Sequence, residues 1–144
     1  MKTVSMLLQE KGHVVWTVSP SDLVIYALRL MAENNIGAVP VVENDEVVGI
    51  FSERDYARRG DLQGHPASAT QVSELMTRLV ICISQDLTAD ECLAIMTSRH
   101  IRHLPVVEQD RLIGIISIGD AVKAIISDQA FVIEQLERYI TLPH

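Results

Sequence analysis

At 144 residues the chain is long enough for one compact domain or two small fused units, and too short for several. Hydrophobic residues make up 48% and charged residues 22%, which excludes a disordered composition, and aromatics at only 4% leave the core to aliphatic side chains. A net charge of −7 argues against a general nucleic-acid-binding or anionic-membrane surface, while leaving room for a local basic pocket.

The first residues, MKTVSMLLQEKGHVVW, carry a short apolar patch broken by Gln9, Glu10 and Lys11, with no small-residue cleavage site. That is a poor signal peptide, and no apolar run approaches the roughly 18 residues needed to span a bilayer. Cys82 and Cys92 show no paired spacing and read as reduced thiols. A soluble, cytoplasmic protein with no membrane association is expected.

Along the chain, VVWTVSP is a short β-rich run, followed by an amphipathic helix on Leu23, Ala27, Leu28 and Met31. Asp22 stands near the helix start, where a carboxylate suits the dipole. GAVPVVE reads as a strand with Pro40 near its beginning, ENDE as a hairpin connection, and VVGIF as the returning strand. A second helix is expected from about Glu53 to Arg59. Residues 61–71 form a polar linker containing Gly, Pro and Ser.

The rhythm then repeats. LVICISQ is the β-rich run, Leu87, Cys92, Leu93 and Met96 mark the helix after Asp86, RHLPVVE and LIGII are the strands, and Ile118 to Ser127 the closing helix. Without a gap, Val15–Arg58 lies over Val80–Lys123, and IGAVPVVENDEVVGIFSERD over IRHLPVVEQDRLIGIISIGD. A weaker echo, TVSMLLQ (Thr3–Gln9) against QVSELMT (Gln71–Thr77), precedes the units, three residues further out in the first. The chain is a tandem duplication of a β-α-β-β-α unit, with units at 1–60 and 72–128. The tail, 129–144, continues as an amphipathic helix offering Phe131, Ile133, Leu136 and Ile140 for packing or subunit contact.

Each copy ends its hairpin in Ser-x-x-Asp: Ser52 with Asp55, Ser117 with Asp120. By spacing alone this is a capping box, a helix-start device without any ligand. A helix start also leaves backbone N–H groups free for a phosphate, so capping and binding are compatible. Gly49 and Gly114 read as relief for close strand packing. Met6, Met31, Met76 and Met96 follow helical apolar spacing and read as core. His100 and His103 lack the Cys, Asp or Glu needed for a metal set, and no nucleophile elbow or triad is present.

The duplicated pattern M-x-x-x-x-I-x-x-(V/L)-P-V-V-E-x-D-x-x-(V/I)-G-I-x-S-x-x-D, Met31 to Asp55 and Met96 to Asp120, resembles the cystathionine β-synthase (CBS) domain in its usual tandem pair. The resemblance runs from about Thr3 to Ala124. It implies an α/β (α+β) fold of two β-α-β-β-α repeats packed with pseudo-two-fold symmetry into one module. It further implies a homodimer, and adenine nucleotides bound in clefts between repeats: AMP first, with ATP, ADP, NAD(H) or S-adenosylmethionine as other candidates. With no catalytic domain attached, a regulatory role is implied, not an enzyme, with no catalytic cofactor and with an unidentified protein partner receiving the signal. The alternative is an adaptor whose clefts stay empty and which modulates a partner enzyme or transporter.

Carried over residue by residue, the resemblance implies two sites. The first joins Ser52, Arg54 and Asp55 to Cys82, Ile83, Arg102, His103 and Leu104. Its Arg-His pair resembles the paired basic residues with which family members grip phosphates, in inverted order; either side chain could reach the phosphate, His103 best when protonated. The second joins Ser117 and Asp120 to Thr17, Val18, Gly37, Ala38 and Val39. There Gly37, Ala38 and Gly119 replace Arg102, His103 and Arg54, so phosphate should bind more weakly unless Arg58, Arg59 or Lys123 reaches it.

Overall fold

The computed structural model describes residues 1–127 and 134–138. The order is α1 (Val4–Lys11), α2 (Val24–Asn34), β1 (Ala38–Glu43), β2 (Glu46–Ser52), α3 (Glu53–Asp55) running into a π-helical stretch Tyr56–Asp61, α4 (Val72–Leu75), α5 (Ala89–Arg99), β3 (His103–Glu108), β4 (Arg111–Ser117) and α6 (Ile118–Ser127). Two helix-covered antiparallel hairpins, β1–β2 and β3–β4, make the expected mixed helix and sheet fold, and β2 meets β4 between the repeats. Of the tail helix expected after residue 128, Phe131, Ile133 and Ile140 lie outside the described residues. Leu136 sits in a helical stretch at 134–138 and is 56% exposed.

The hairpins copy each other closely. Asn44 and Asp45 turn the first and Gln109 and Asp110 the second, all at φ between 50° and 64°, the left-handed pair that two-residue hairpins require. A register shift follows Val41 and, identically, Val106.

The first strand of each unit is shorter than its sequence suggests. VVWTVSP and LVICISQ each contribute one parallel bridge, Val18 to Val41 and Ile83 to Val106. The cause is proline. Val18 N–H donates to the Pro40 carbonyl at 3.1 Å and its own carbonyl accepts the Val42 N–H at 2.8 Å. One step further in either direction the ladder would need an N–H from Pro40 or from Pro20, and neither has one. Pro105 stops the second ladder on the Ile81 side in the same way, while Gln85, in the place of Pro20, keeps its N–H.

Three local features go beyond what the spacings display. Asp22 stands near the start of α2 and accepts the Ser19 N–H at 2.8 Å, closing a turn. The N–H groups of Val24 and Ile25 go to the carbonyls of Thr70 and Ala67, so part of the 61–71 linker caps the helix. Asp86 bonds Ser84, while α5 is capped by a Thr88–Glu91 box. Met6 is 49% exposed because α1 buries its opposite face, Val4, Leu7 and Leu8; the other three methionines are core.

The short echoing segments exchange partners. Val4, Leu7 and Leu8 of α1 complete the core of the second repeat, with Ile83, Cys92, Met96, Leu104, Val106 and Ile116. Val72, Leu75 and Met76 complete the core of the first, with Val24, Met31, Val39, Val41 and Phe51. The joints lie at the two glycines. A Cβ on Gly114 would stand 2.5 Å from Leu8 Cδ2, and one on Gly49 2.6 Å from Met76 Sδ.

Gly114→Ala should therefore destabilise the fold by about 1–3 kcal/mol through overpacking. Leu8→Ala should cost about 2–5 kcal/mol through the cavity it leaves. Urea unfolding of the double variant should show a loss smaller than the sum, since the new methyl enters the space Leu8 vacates. Strict additivity would show that Leu8 does not seat on Gly114.

Candidate functional site

The first Ser-x-x-Asp closes as a full capping box. Ser52 Oγ accepts the Asp55 N–H at 3.1 Å, and Asp55 Oδ2 accepts from both the Ser52 N–H and hydroxyl at 2.9 Å. Asp55 Oδ1 accepts from Arg59 Nη2 at 2.8 Å. The same nitrogen donates to the Leu75 carbonyl at 2.6 Å and to Thr77 Oγ1 at 3.2 Å, tying the turn to the exchanged segment. After one turn the helix widens into its π stretch, and Gly60 is buried where a Cβ would meet Tyr56 and Leu75.

This turn opens onto a cleft of about 710 Å³. Ser52, Arg54 and Asp55 line it, with Arg102 and His103 from the start of β3, so five of the eight expected residues meet. The remaining three do not join them. Ile83 and Leu104 are 4% and 0% exposed in the second core, and Cys82 is exposed outside the cleft lining. Because Pro105 ends the ladder at Ile83, the chain just before it leaves the sheet, and Leu79, Val80 and Ile81 supply an apolar lining instead.

Arg58, Arg59, Thr77 and His100 also line the cleft. The sequence offers Arg58 and Arg59 as aids to the second site, and the structure puts them at the first. The i,i+4 step from Arg54 and Asp55 is the sequence signal for this. Thr77 and His100 have none beyond proximity to the repeat ends. Among the described residues, Arg54, Arg58 and Arg102 have no ion-pair partner, and only Arg59 is committed. Four arginines thus face two carboxylates, Glu53 and Asp55, in one cleft of an acidic protein. Such a concavity concentrates anions.

The second Ser-x-x-Asp has the same backbone and a different cation. Ser117 N–H donates to Asp120 Oδ2 at 2.8 Å, and Asp120 N–H to Ser117 Oγ at 3.1 Å. Lys11 Nζ, from the exchanged α1, lies 2.6 Å from Asp120 Oδ2 and donates to the Ile115 carbonyl at 2.8 Å. Burial pushes the Asp120 carboxyl up, but the Lys11 and Ser117 hydrogen bonds outweigh it and hold it below its ordinary range. Of the other residues expected here, Val18 and Val39 are core at 3% and 0% exposure, Thr17 is exposed, and Gly37 and Ala38 line the first cleft. Lys123 has no ion pair among the described residues.

His103 stands between the first cleft and the Lys11–Asp120 pair. Its ring carbon Cε1 would lie 3.9 Å from a Cβ on Gly37, and it feels the charges of both Lys11 and Asp120. Burial first, then Lys11 and Arg102, hold its pKa below the ordinary 6.5, against the pull of Asp120. Among the described residues no three His, Cys, Asp or Glu side chains form a metal-holding group, and no helix is long and apolar enough to cross a membrane.

A profile of the CBS domain matches residues 12–60 and 72–127. The chain is 32% identical over 147 aligned residues to the CBS domain-containing protein CBSX3, mitochondrial, of Arabidopsis thaliana, covering 96% of this chain and 71% of that one. A CBS-domain protein of known structure from Burkholderia ambifaria is 46% identical, with a TM-score of 0.85 over 89% of this chain and 96% of that one. The CBS domain pair of protein MJ0100, solved in complex with 5′-methylthioadenosine and S-adenosyl-L-methionine, is 25% identical, with a TM-score of 0.75 over 86% and 99% of the two chains.

The His103 geometry has a signed pH consequence. With its folded pKa below the unfolded value, the unfolded chain holds more protons in the window between them. This contribution to stability is fully present above pH 6.5 and is lost as the pH falls through that value towards the folded pKa. In NMR titration the His103 ring should titrate below 6.5, and His103→Gln should flatten the loss of urea stability across that window. A titration midpoint above 6.5 would contradict the burial seen here.

Proposed function

The chain belongs to the CBS domain family, as a tandem pair, and on that premise we propose that it is a regulatory module binding adenine nucleotides in the clefts between its repeats. The carrying observation is the first cleft: Arg54, Arg58 and Arg102, without ion-pair partners among the described residues, gathered around a Ser-x-x-Asp turn and an apolar lining. Leu79, Val80, Ile81 and Ile101 offer a slot for adenine, and Asp55 an acceptor for ribose hydroxyls. The arginines suit phosphate oxygens through charge-assisted hydrogen bonds. The adenosine-containing ligands of the MJ0100 pair support this reading of the nucleoside half.

AMP is the first candidate; ADP, ATP and NAD(H) are the alternatives with more negative charge or length. With His103 held neutral by burial, Arg102 takes the phosphate in the unprotonated cleft, and His103 joins when it gains a proton. Binding at the junction of the repeats shifts their relative rigidity, which a partner protein then reads. The exposed Val122 and Ile126 on α6 support a homodimer. No step of bond making is part of this function.

Calorimetry with AMP tests it. Arg102→Ala should weaken binding by about 1.5–3 kcal/mol, the scale of a lost charged hydrogen bond, with an unchanged circular dichroism spectrum. Asp55→Asn should weaken AMP and adenosine alike, whereas Arg102→Ala should spare adenosine. Undiminished AMP affinity in both variants would remove the first cleft as the site.

A further inference from the structure

The two Ser-x-x-Asp carboxylates receive their cations from different places, and the difference bears on what the second can bind. Arg59 lies on the same helical stretch as Asp55, four residues on, and uses Oδ1, away from the cap. Lys11 comes from α1, far away in sequence, and shares Asp120 Oδ2 with the Ser117 N–H. We propose that Lys11 is the selectivity residue of the second site, an intramolecular cation that an adenosine-type ligand must displace from Asp120 before its ribose can use that carboxylate. The inference rests on the reading that the Ser-x-x-Asp turns receive ribose.

Three features make Lys11 a resident occupant, not a passing surface charge. Two of its three ammonium donors are engaged, at 2.6 and 2.8 Å, both within the second repeat. Its helix is fixed by Val4 and Leu8, both 0% exposed, and ends at Gly12, whose N–H bonds the Leu8 carbonyl at 2.7 Å and whose φ of 102° turns the chain away. The backbone of Lys11 is thereby already ordered, so forming the pair costs only the rotamer entropy of its side chain. Finally, the residues equivalent by sequence to Arg54, Arg102 and His103 are Gly119, Gly37 and Ala38, none of which brings a cation to the second Ser-x-x-Asp turn. A phosphate therefore gains little there to offset the displacement.

Release of Lys11 removes one tie between α1 and the second repeat, so occupancy of the second site loosens the last turn of α1. Arg59 has no such consequence, because it stays on its own helix and keeps the Leu75 and Thr77 contacts.

The test uses the full chain with adenosine binding at the first cleft weakened by Asp55→Asn, titrated with adenosine by calorimetry. Adding Lys11→Met, which keeps the aliphatic stem, should tighten adenosine binding about two- to fivefold, the scale of a partly exposed ion pair. Unchanged or weaker binding, or none at all with Lys11→Met, would overturn the proposal. Hydrogen exchange on the unmutated chain gives a second readout: saturating adenosine should speed exchange at the last turn of α1, and unchanged or slower exchange would overturn it. Failure of the unmutated chain to bind AMP would instead remove the nucleotide reading, a separately visible outcome.

Discussion

The contact of Leu8 with Gly114, and its counterpart of Met76 with Gly49, is the constraint from which the rest follows. Each repeat alone is a helix-covered hairpin with a gap on its sheet, and two-stranded hairpins are marginal in water without such cover. The gap is filled by a segment that lies next to the other repeat in sequence. The first core closes once residues 72–76 return to it, and the second only when α1 meets the second repeat. The crossing also brings the end of β2 beside the start of β3, so that a turn from one repeat and a pre-strand pair from the other share a cleft.

The same crossing serves the carboxylates. Asp55 is tied through Arg59 to the carbonyl of Leu75 and the hydroxyl of Thr77, both in the segment exchanged onto the first repeat. Asp120 is tied to Lys11, in the segment exchanged onto the second. One connection is made by a cation on the receiving repeat and the other by a cation on the arriving segment. Partly exposed ion pairs of this kind contribute modestly to stability, so the hydrophobic joints hold the fold and the ion pairs set the chemistry at the turns.

Much of this is legible in the sequence, and the exceptions have a common cause. Ser-x-x-Asp, the Asn-Asp and Gln-Asp turns, the alternation of the strands and the duplicated frame all rest on spacings of a few residues, which sequence displays directly. The first strands look longer in sequence than they are because Pro40 and Pro105, on the neighbouring strands, withhold the N–H groups that would extend the ladders. That same truncation moves the cleft lining from Cys82 and Ile83 back to Leu79, Val80 and Ile81. The echo Thr3–Gln9 is visible, but which repeat it packs on is not, since apolar periodicity names a buried face without naming its partner. Lys11 escapes notice for the same reason. Its carboxylate lies on the far repeat, and only the exchanged helix brings the two together.

Comparison of the copies separates what folding requires from what the clefts use. Gly49 and Gly114, Pro40 and Pro105, and the Ser and Asp of both turns are identical, and each serves the fold as a close approach, a ladder end or a helix cap. The divergent pairs are Gly37 and Arg102, Ala38 and His103, Arg54 and Gly119, Arg59 and Ala124. Apart from Ala124, each of these stands at a turn, at a strand start or on the surface, where a change of charge is tolerated by the fold. All of the cations gained face the first cleft. Because the backbone frame is held by the identical positions, the charge around each Ser-x-x-Asp turn is free to differ, and one duplicated architecture presents two electrostatically unlike turns.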